Sequence, residues 1–397
     1  MKKFFTFDPQ LLFYGFAIIF FASYGQTFFI SIFNLEIRNF YNLTDGEFGF
    51  IYSLGTLASS LILVAFAKLI DFIDLRVYSF IVSIGLAFSC MAFYLSSESV
   101  FLLFFIIFCL RFFGQGAMSH AGETTMARYF GKNRGKALSI STLGGMIGVM
   151  ILPLIIVTLT GSIGWKNVWL VSGLSILFFF IPLIFLTLFN QSKRHSNFFE
   201  NSKNFLNKRK WRTREVIFDK NFYIYLPITM TMPFISTGLT FHQIFIIQQK
   251  GWTLQMLGNG FIFLGIFSIF GLLISGPIVD RYNAKRIVIY TLSPLLFAIL
   301  VLLFFKSYFF MMFYMSLLGF GLGASTPILG SLWAEIYGLE SLGTVKALLH
   351  ALMVFFSALS PMFFGYMIDF GLGIPSLSLM SLIIISFSIL LPVIFEK

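Results

Sequence analysis

Charge is scarce in this chain. Asp, Glu, Lys and Arg make up 11% of 397 residues, where a soluble globular domain carries about 25%. A surface that poor in ions cannot face water over most of its extent, so the main solvent is lipid. Cysteine is scarcer still. Cys90 and Cys109 both fall in apolar runs with no metal-type spacing, which argues against a disulfide framework, a metal site or redox chemistry. Nor is there a Walker A loop, an H-E-x-x-H pair or a paired-carboxylate constellation. An enzyme or a non-transporting receptor would need such a cluster, so neither reading finds support, and no cofactor is expected.

What fills the chain is apolar. Hydrophobic residues reach 58%, and 56 Phe are spread over every segment as lipid-facing and packing bulk. At roughly 20 residues per span, the length accommodates twelve helices. The apolar runs place them at 11–33, 47–70, 77–96, 100–126, 136–160, 165–189, 221–247, 253–279, 286–305, 308–334, 343–367 and 373–395. The first run exceeds a signal-peptide core and lacks a small-x-small cleavage site, so it reads as a retained helix.

One long stretch is too polar for lipid. Residues 190–220 hold nine Lys and Arg against three acids, and they divide the chain into an N-terminal bundle (1–189), a basic linker and a C-terminal bundle (221–397). A nucleic-acid patch would look similar, but basic loops beside spanning helices follow from the positive-inside rule alone. With the N-terminus inside, 22 of the 27 Lys and Arg face the cytoplasm and four face outward. That asymmetry accounts for the net charge of +11 without an acidic partner. It predicts a multi-pass protein of the inner (plasma) membrane with both termini cytoplasmic.

The second half repeats the first. Asp71 and Asp280 are 209 residues apart, Gly135 and Gly343 are 208 apart, as are Pro153 and Pro361, and Tyr129-Phe130-Gly131 precedes Ile336-Tyr337-Gly338 by 207. A six-helix unit duplicated in parallel explains all three regions. The fold class expected is therefore all-α integral membrane, with two parallel-repeat six-helix bundles.

The loop Gly276-Pro-Ile-Val-Asp280-Arg281-Tyr-Asn283-Ala-Lys285-Arg286 resembles the signature G-x-L-x-D-R-x-G-x-K/R of the major facilitator superfamily. Its degenerate partner is Ala67-Lys-Leu69-Ile-Asp71-Phe-Ile-Asp74-Leu-Arg76, which departs at Ala67, Phe72 and Asp74. Overall texture is also similar, more loosely, to bacterial relatives of monocarboxylate transporters. The resemblance implies a secondary transporter working by rocking of its two halves, as a monomer. An Asp at a helix C-terminus sits against partial negative charge, so Arg76 beside Asp71, and Arg281 with Arg286 beside Asp280, are expected to form a charge clasp. Ordinary loop charge is the plainer reading. Glu123 with Arg128, Lys132 and Arg134 reads as a further gate cluster.

Inside the bilayer, a charge costs about 2.5–3.5 kcal/mol on insertion scales, and is a functional candidate by default. Arg111 lies roughly 16 Å deep in helix 4, with Gln115 and Ser119 on the same face. The stretch Arg111-Phe-Phe-Gly114-Gln115-Gly116 resembles the superfamily's helix 4 motif with Gly and Gln in changed order. Guanidinium binds carboxylates bidentately and keeps its charge, so Arg111 points to a small organic anion, above all a monocarboxylate. The alternative is a guanidinium paired inside the bundle, which would fit export of amphipathic compounds. The helix 5 run Leu143-Gly144-Gly145-Met-Ile-Gly148 lacks the antiporters' Gly-Pro-x-x-Gly-Gly, which favours uptake. Further substrate ligands expected are Gln26 on helix 1, Thr237 and Thr240 on helix 7 and Ser325 on helix 10, although single hydroxyls in membrane helices commonly bond a backbone carbonyl. His120, His242 and His350 could titrate near neutrality. His242, on helix 7, is the expected proton-coupling residue.

Overall fold

A computed structural model describes residues 8–130, 133–192, 194, 213–338 and 342–395. Most of the basic stretch 190–220, with His195, lies outside the described residues, as does Lys132. Among the described residues, eleven helices are long and apolar enough to cross a membrane, and twelve when one bent pair counts as a span.

The bent pair is α1, Pro9–Gly25 plus Thr27–Tyr41, with a 44° bend. The others are α2 (Asp45–Asp71), α3 (Leu75–Leu95), α4 (Val100–Tyr129), α5 (Arg134–Ile163), α6 (Trp165–Thr187), α7 (Lys220–Phe241), α8 (Leu254–Tyr282), α9 (Ala284–Phe304), α10 (Tyr308–Tyr337), α11 (Val345–Asp369) and α12 (Ile374–Phe395). The duplication carries through to their ends, since α4 and α10 start 208 residues apart and end 208 apart. For α3 and α9 both offsets are 209.

Polar caps start these helices where the apolar runs begin. Asp8 accepts from Leu11 N–H at 3.0 Å ahead of Pro9. Asp74 does the same for Arg76 N–H, Asp219 for Asn221 N–H and Thr253 for Met256 N–H. Each side chain satisfies an amide that has no partner inside its helix. Phe serves both faces: Phe29, Phe33 and Phe93 close around the buried Trp169, while Phe178, Phe179 and Phe370 stand exposed.

The helices form two compact units. Unit 1 comprises residues 1–42 and 54–206, and unit 2 comprises 43–53 and 207–397. The first turns of α2 thus belong with unit 2. In unit 1, α1 crosses α4 at two glycines. A Cβ on Gly114 would stand 2.7 Å from Gly25 Cα, and one on Gly25 would collide with the Leu110 carbonyl. Only hydrogen fits, so backbones touch there. In unit 2, α7 does not run on to residue 247 as its apolar pattern predicts. It stops at Phe241, His242 forms the joint, and a short helix Gln243–Lys250 follows.

Candidate functional site

The break in α1 decides where Arg111 goes. Gln26 is extended (φ −84°, ψ 154°). Phe29 N–H, the partner Gly25 C=O would have in a continuous helix, donates to Gln26 C=O instead at 3.1 Å. That leaves the Gly25 carbonyl orphaned, and Arg111 Nη1 donates to it at 2.9 Å. Arg111 Nε donates to Thr56 Oγ1 on α2 at 3.2 Å, and the residue is only 3% exposed. The expectation of a guanidinium waiting for a solute's charge is therefore corrected: Arg111 is bonded to the protein's own groups. A bare carbonyl in hydrocarbon costs several kcal/mol, so repairing the break is reason enough to keep a cation there.

Arg111 also opens a π-helical stretch, Arg111–Met118, inside α4. Such widened turns are frequent at functional sites. Gln115 lies in this stretch and Gln26 at the α1 break, beside the Gly25–Gly114 crossing. Both are half-buried, and no side-chain hydrogen bond reaches either amide among the described residues. Ser119 Oγ turns to Gly114 C=O at 3.5 Å.

In unit 2 the other expected ligands differ in what they bond. Ser325 bonds Leu322 C=O of its own helix at 2.9 Å. Thr237 is half-buried with no bonded partner among the described residues. Thr240 lines a small cavity of about 20 Å³ with Gln243, Trp252, Phe261, Tyr314 and Met315, room for about one water molecule. His242 is 1% exposed, with Nε2 at 2.8 Å from Pro361 C=O and Nδ1 at 3.4 Å from Asp45 Oδ1. His350 is exposed, and His120 faces Thr124 on its own helix.

The charge clasps form with partners other than those expected. Asp71 is held by Arg128, whose Nη1 also donates to Ile70 C=O at 3.2 Å. Arg76 does not answer Asp71. It turns to Asp74 at 2.9 Å and to Ser192 at 3.1 Å, because Asp74 already caps α3 two residues away. At the α8–α9 loop, Asp280, Arg281 and Arg286 are exposed, and Arg281 lies over the Tyr282 ring at 5.2 Å. No ion pair reaches Asp280 among the described residues. The loop is fastened instead by Glu335, which accepts from Ala284 N–H at 2.7 Å and Lys285 N–H at 3.1 Å. Glu123 and Arg134 are both exposed and unpaired among the described residues, and Arg128 turns to Asp71.

Arg128 and Glu335 are 207 residues apart, the offset of the repeat, yet they differ in sign. The cation answers carbonyl and carboxylate at a helix C-terminus, and the anion answers free amides at a helix N-terminus. The repeat offset was the signal that could have found them.

No curated protein matches this chain. Among solved structures it is similar to a bacterial homologue of the human lysosomal transporter Spinster, in inward-facing unoccupied and inward-facing occupied forms. Each superposes with TM-score 0.62 at 15% identity, over 97% and 96% of this chain and 94% of the other. The Major Facilitator Superfamily model matches residues 15–293 and 236–396. With the spans, the duplicated helices and both loops of the signature type in place, the chain belongs to the major facilitator superfamily.

Proposed function

We propose that the chain is a secondary transporter moving a small organic solute across the plasma membrane, by alternating exposure of its solute site to the two sides. A proton bound at His242 takes part in the cycle. The observation that carries this reading is that several half-buried polar side chains, among them Gln26 and Gln115 in unit 1 and Thr237 in unit 2, have no bonded partner among the described residues. Polar groups kept inside a membrane protein mark solute paths by default. These are amides and a hydroxyl, which match neutral and amphipathic solutes. The bonds from Arg111 to Gly25 and Thr56 favour the same class.

A second reading, a small organic anion such as a monocarboxylate, keeps one support. Guanidinium stays charged in any protein environment, so a bonded Arg111 still attracts an acid.

Thermal stabilisation of the purified protein by carboxylates, sugars, nucleosides and amphipathic amines separates the two. Neutral or amphipathic members are expected to raise the melting temperature, and Gln115→Ala to remove most of that rise. Stabilisation by carboxylates alone, abolished by Arg111→Lys, would install the anion in their place. Absence of any uptake into proteoliposomes across the panel would end the transporter reading.

A further inference from the structure

The first turns of α2 are seated in unit 2 with little slack. Asp369, at the end of α11, accepts Asp45 N–H at 3.1 Å and Gly46 N–H at 2.9 Å. Met362 N–H donates to Ser53 Oγ at 3.3 Å. Phe48 and Tyr52 pack on the Phe241 ring at 5.1 and 4.5 Å. A Cβ on Gly49 would collide with the Pro361 carbonyl, and one on Gly365 would stand 2.5 Å from Asp45 C=O.

Under this contact lies the His242 ring. Pro361 C=O can only accept, so Nε2 at 2.8 Å carries a hydrogen and donates. That leaves Nδ1 directed at Asp45 Oδ1, 3.4 Å away. In a neutral imidazole with Nε2 protonated, Nδ1 is an acceptor, and an ionised carboxylate is an acceptor only. Two acceptors held face to face need a proton between them.

We propose that His242 and Asp45 form a proton-binding site, in which one shared proton fastens residues 43–53 to α7 and α11. It rests on the proton role given to His242 above and deepens it, by naming the partner carboxylate and the element that the proton holds. When the proton leaves for water, a lone pair confronts a carboxylate that Asp369 has pinned through the backbone, and the tight glycine contacts leave no room to turn aside. Attachment is complete on the acid side and is lost as pH rises.

The titratable groups on the elements packed at this contact are mostly acidic or phenolic. From α2 they are Asp45, Glu47 and Tyr52, and from α11 Asp369 and Tyr366. Glu47 is occupied by Thr44 N–H at 2.9 Å, and Tyr366 packs on Gly46. Along the chain from His242 itself the nearest is Lys250, whose Nζ donates to Phe305 C=O at 2.9 Å.

Hydrogen–deuterium exchange of the full-length protein in lipid nanodiscs tests this. Peptides covering 43–53 are followed from about pH 5.5 to about pH 8.5, the range in which an imidazole ordinarily changes charge, with correction for intrinsic exchange. Protection of 43–53 is expected to fall about tenfold toward high pH, the scale of one charge-assisted bond, while α9 stays level. Asp45→Asn, whose amide can donate to a neutral Nδ1, removes the step. His242→Gln removes it too, and either variant alone suffices should the other fail to fold. Asp369→Asn lowers protection at both ends and leaves the step in place. A flat wild-type profile, or a step that survives Asp45→Asn, overturns the proposal. Uptake in proteoliposomes keeps the two readings apart. A step with transport indifferent to pH removes the proton from the transport cycle and leaves this site standing, whereas proton-driven uptake without a step does the reverse.

Discussion

At the scale of single residues, Arg111 shows how a position can be legible while its partners are not. Its burial in α4 is legible from one Arg in an apolar run, but its partner depends on a break at Gln26, in Tyr24-Gly25-Gln26-Thr27, a stretch with no proline to announce it. Because the Gly25 carbonyl is freed at this break, the residue before it is as constrained as the cation. Gly25→Ala is expected to lower stability by roughly 1–3 kcal/mol, the usual cost of overpacking, and to be read as a drop in melting temperature. Gly135→Ala is the control, since nothing lies within 4 Å of its would-be Cβ. It should be neutral or slightly stabilising. The missed residues Asp45 and Asp369 have a simpler cause. The apolar runs set α2 at 47–70 and α11 at 343–367, whereas the helices reach Asp45 and Asp369. Two residues of error at each end left both acids among the loops.

At the scale of elements, hydropathy alone recovers the spans, because lipid demands a continuous apolar stretch whatever the packing. It does not recover interruptions. Neither the π-helical stretch in α4 nor the joint at His242 is announced by the local apolar pattern. The loops teach the same lesson about charge: Arg76 is near Asp71 in sequence, but Arg128 is near it in space. Glu335 caps two free amides at the start of α9, so Glu335→Gln should cost about 1 kcal/mol, typical of a lost cap. Melting of the variant beside wild type checks it. Asp280→Asn, with no bonded partner among the described residues to lose, is expected to leave the melting temperature unchanged.

At the scale of the whole molecule, the duplication was legible from four pairs of matching positions, and the helix ends reproduce it at offsets of 208 and 209. Function was not legible to the same depth, since a fold shared at 15% identity fixes architecture and not cargo. The split of basic residues makes a claim about the entire chain that can be checked directly. A cysteine placed at Ser97, between α3 and α4, is expected to react with an impermeant maleimide in intact spheroplasts. One placed at Asn133, between α4 and α5, should react only after permeabilisation. The reverse pattern would invert the topology.

The opposite signs of Arg128 and Glu335 also bear on how the surrounding bilayer acts on each half. Acidic headgroups draw cations at the membrane surface, with roughly 1 kcal/mol per basic side chain. They compete with Asp71 for Arg128, but have nothing to offer Glu335. Enriching the membrane in anionic phospholipid is therefore expected to weaken the Asp71–Arg128 pair and to leave the Glu335 bonds in place, so that lipid composition would distinguish the two copies of the repeat.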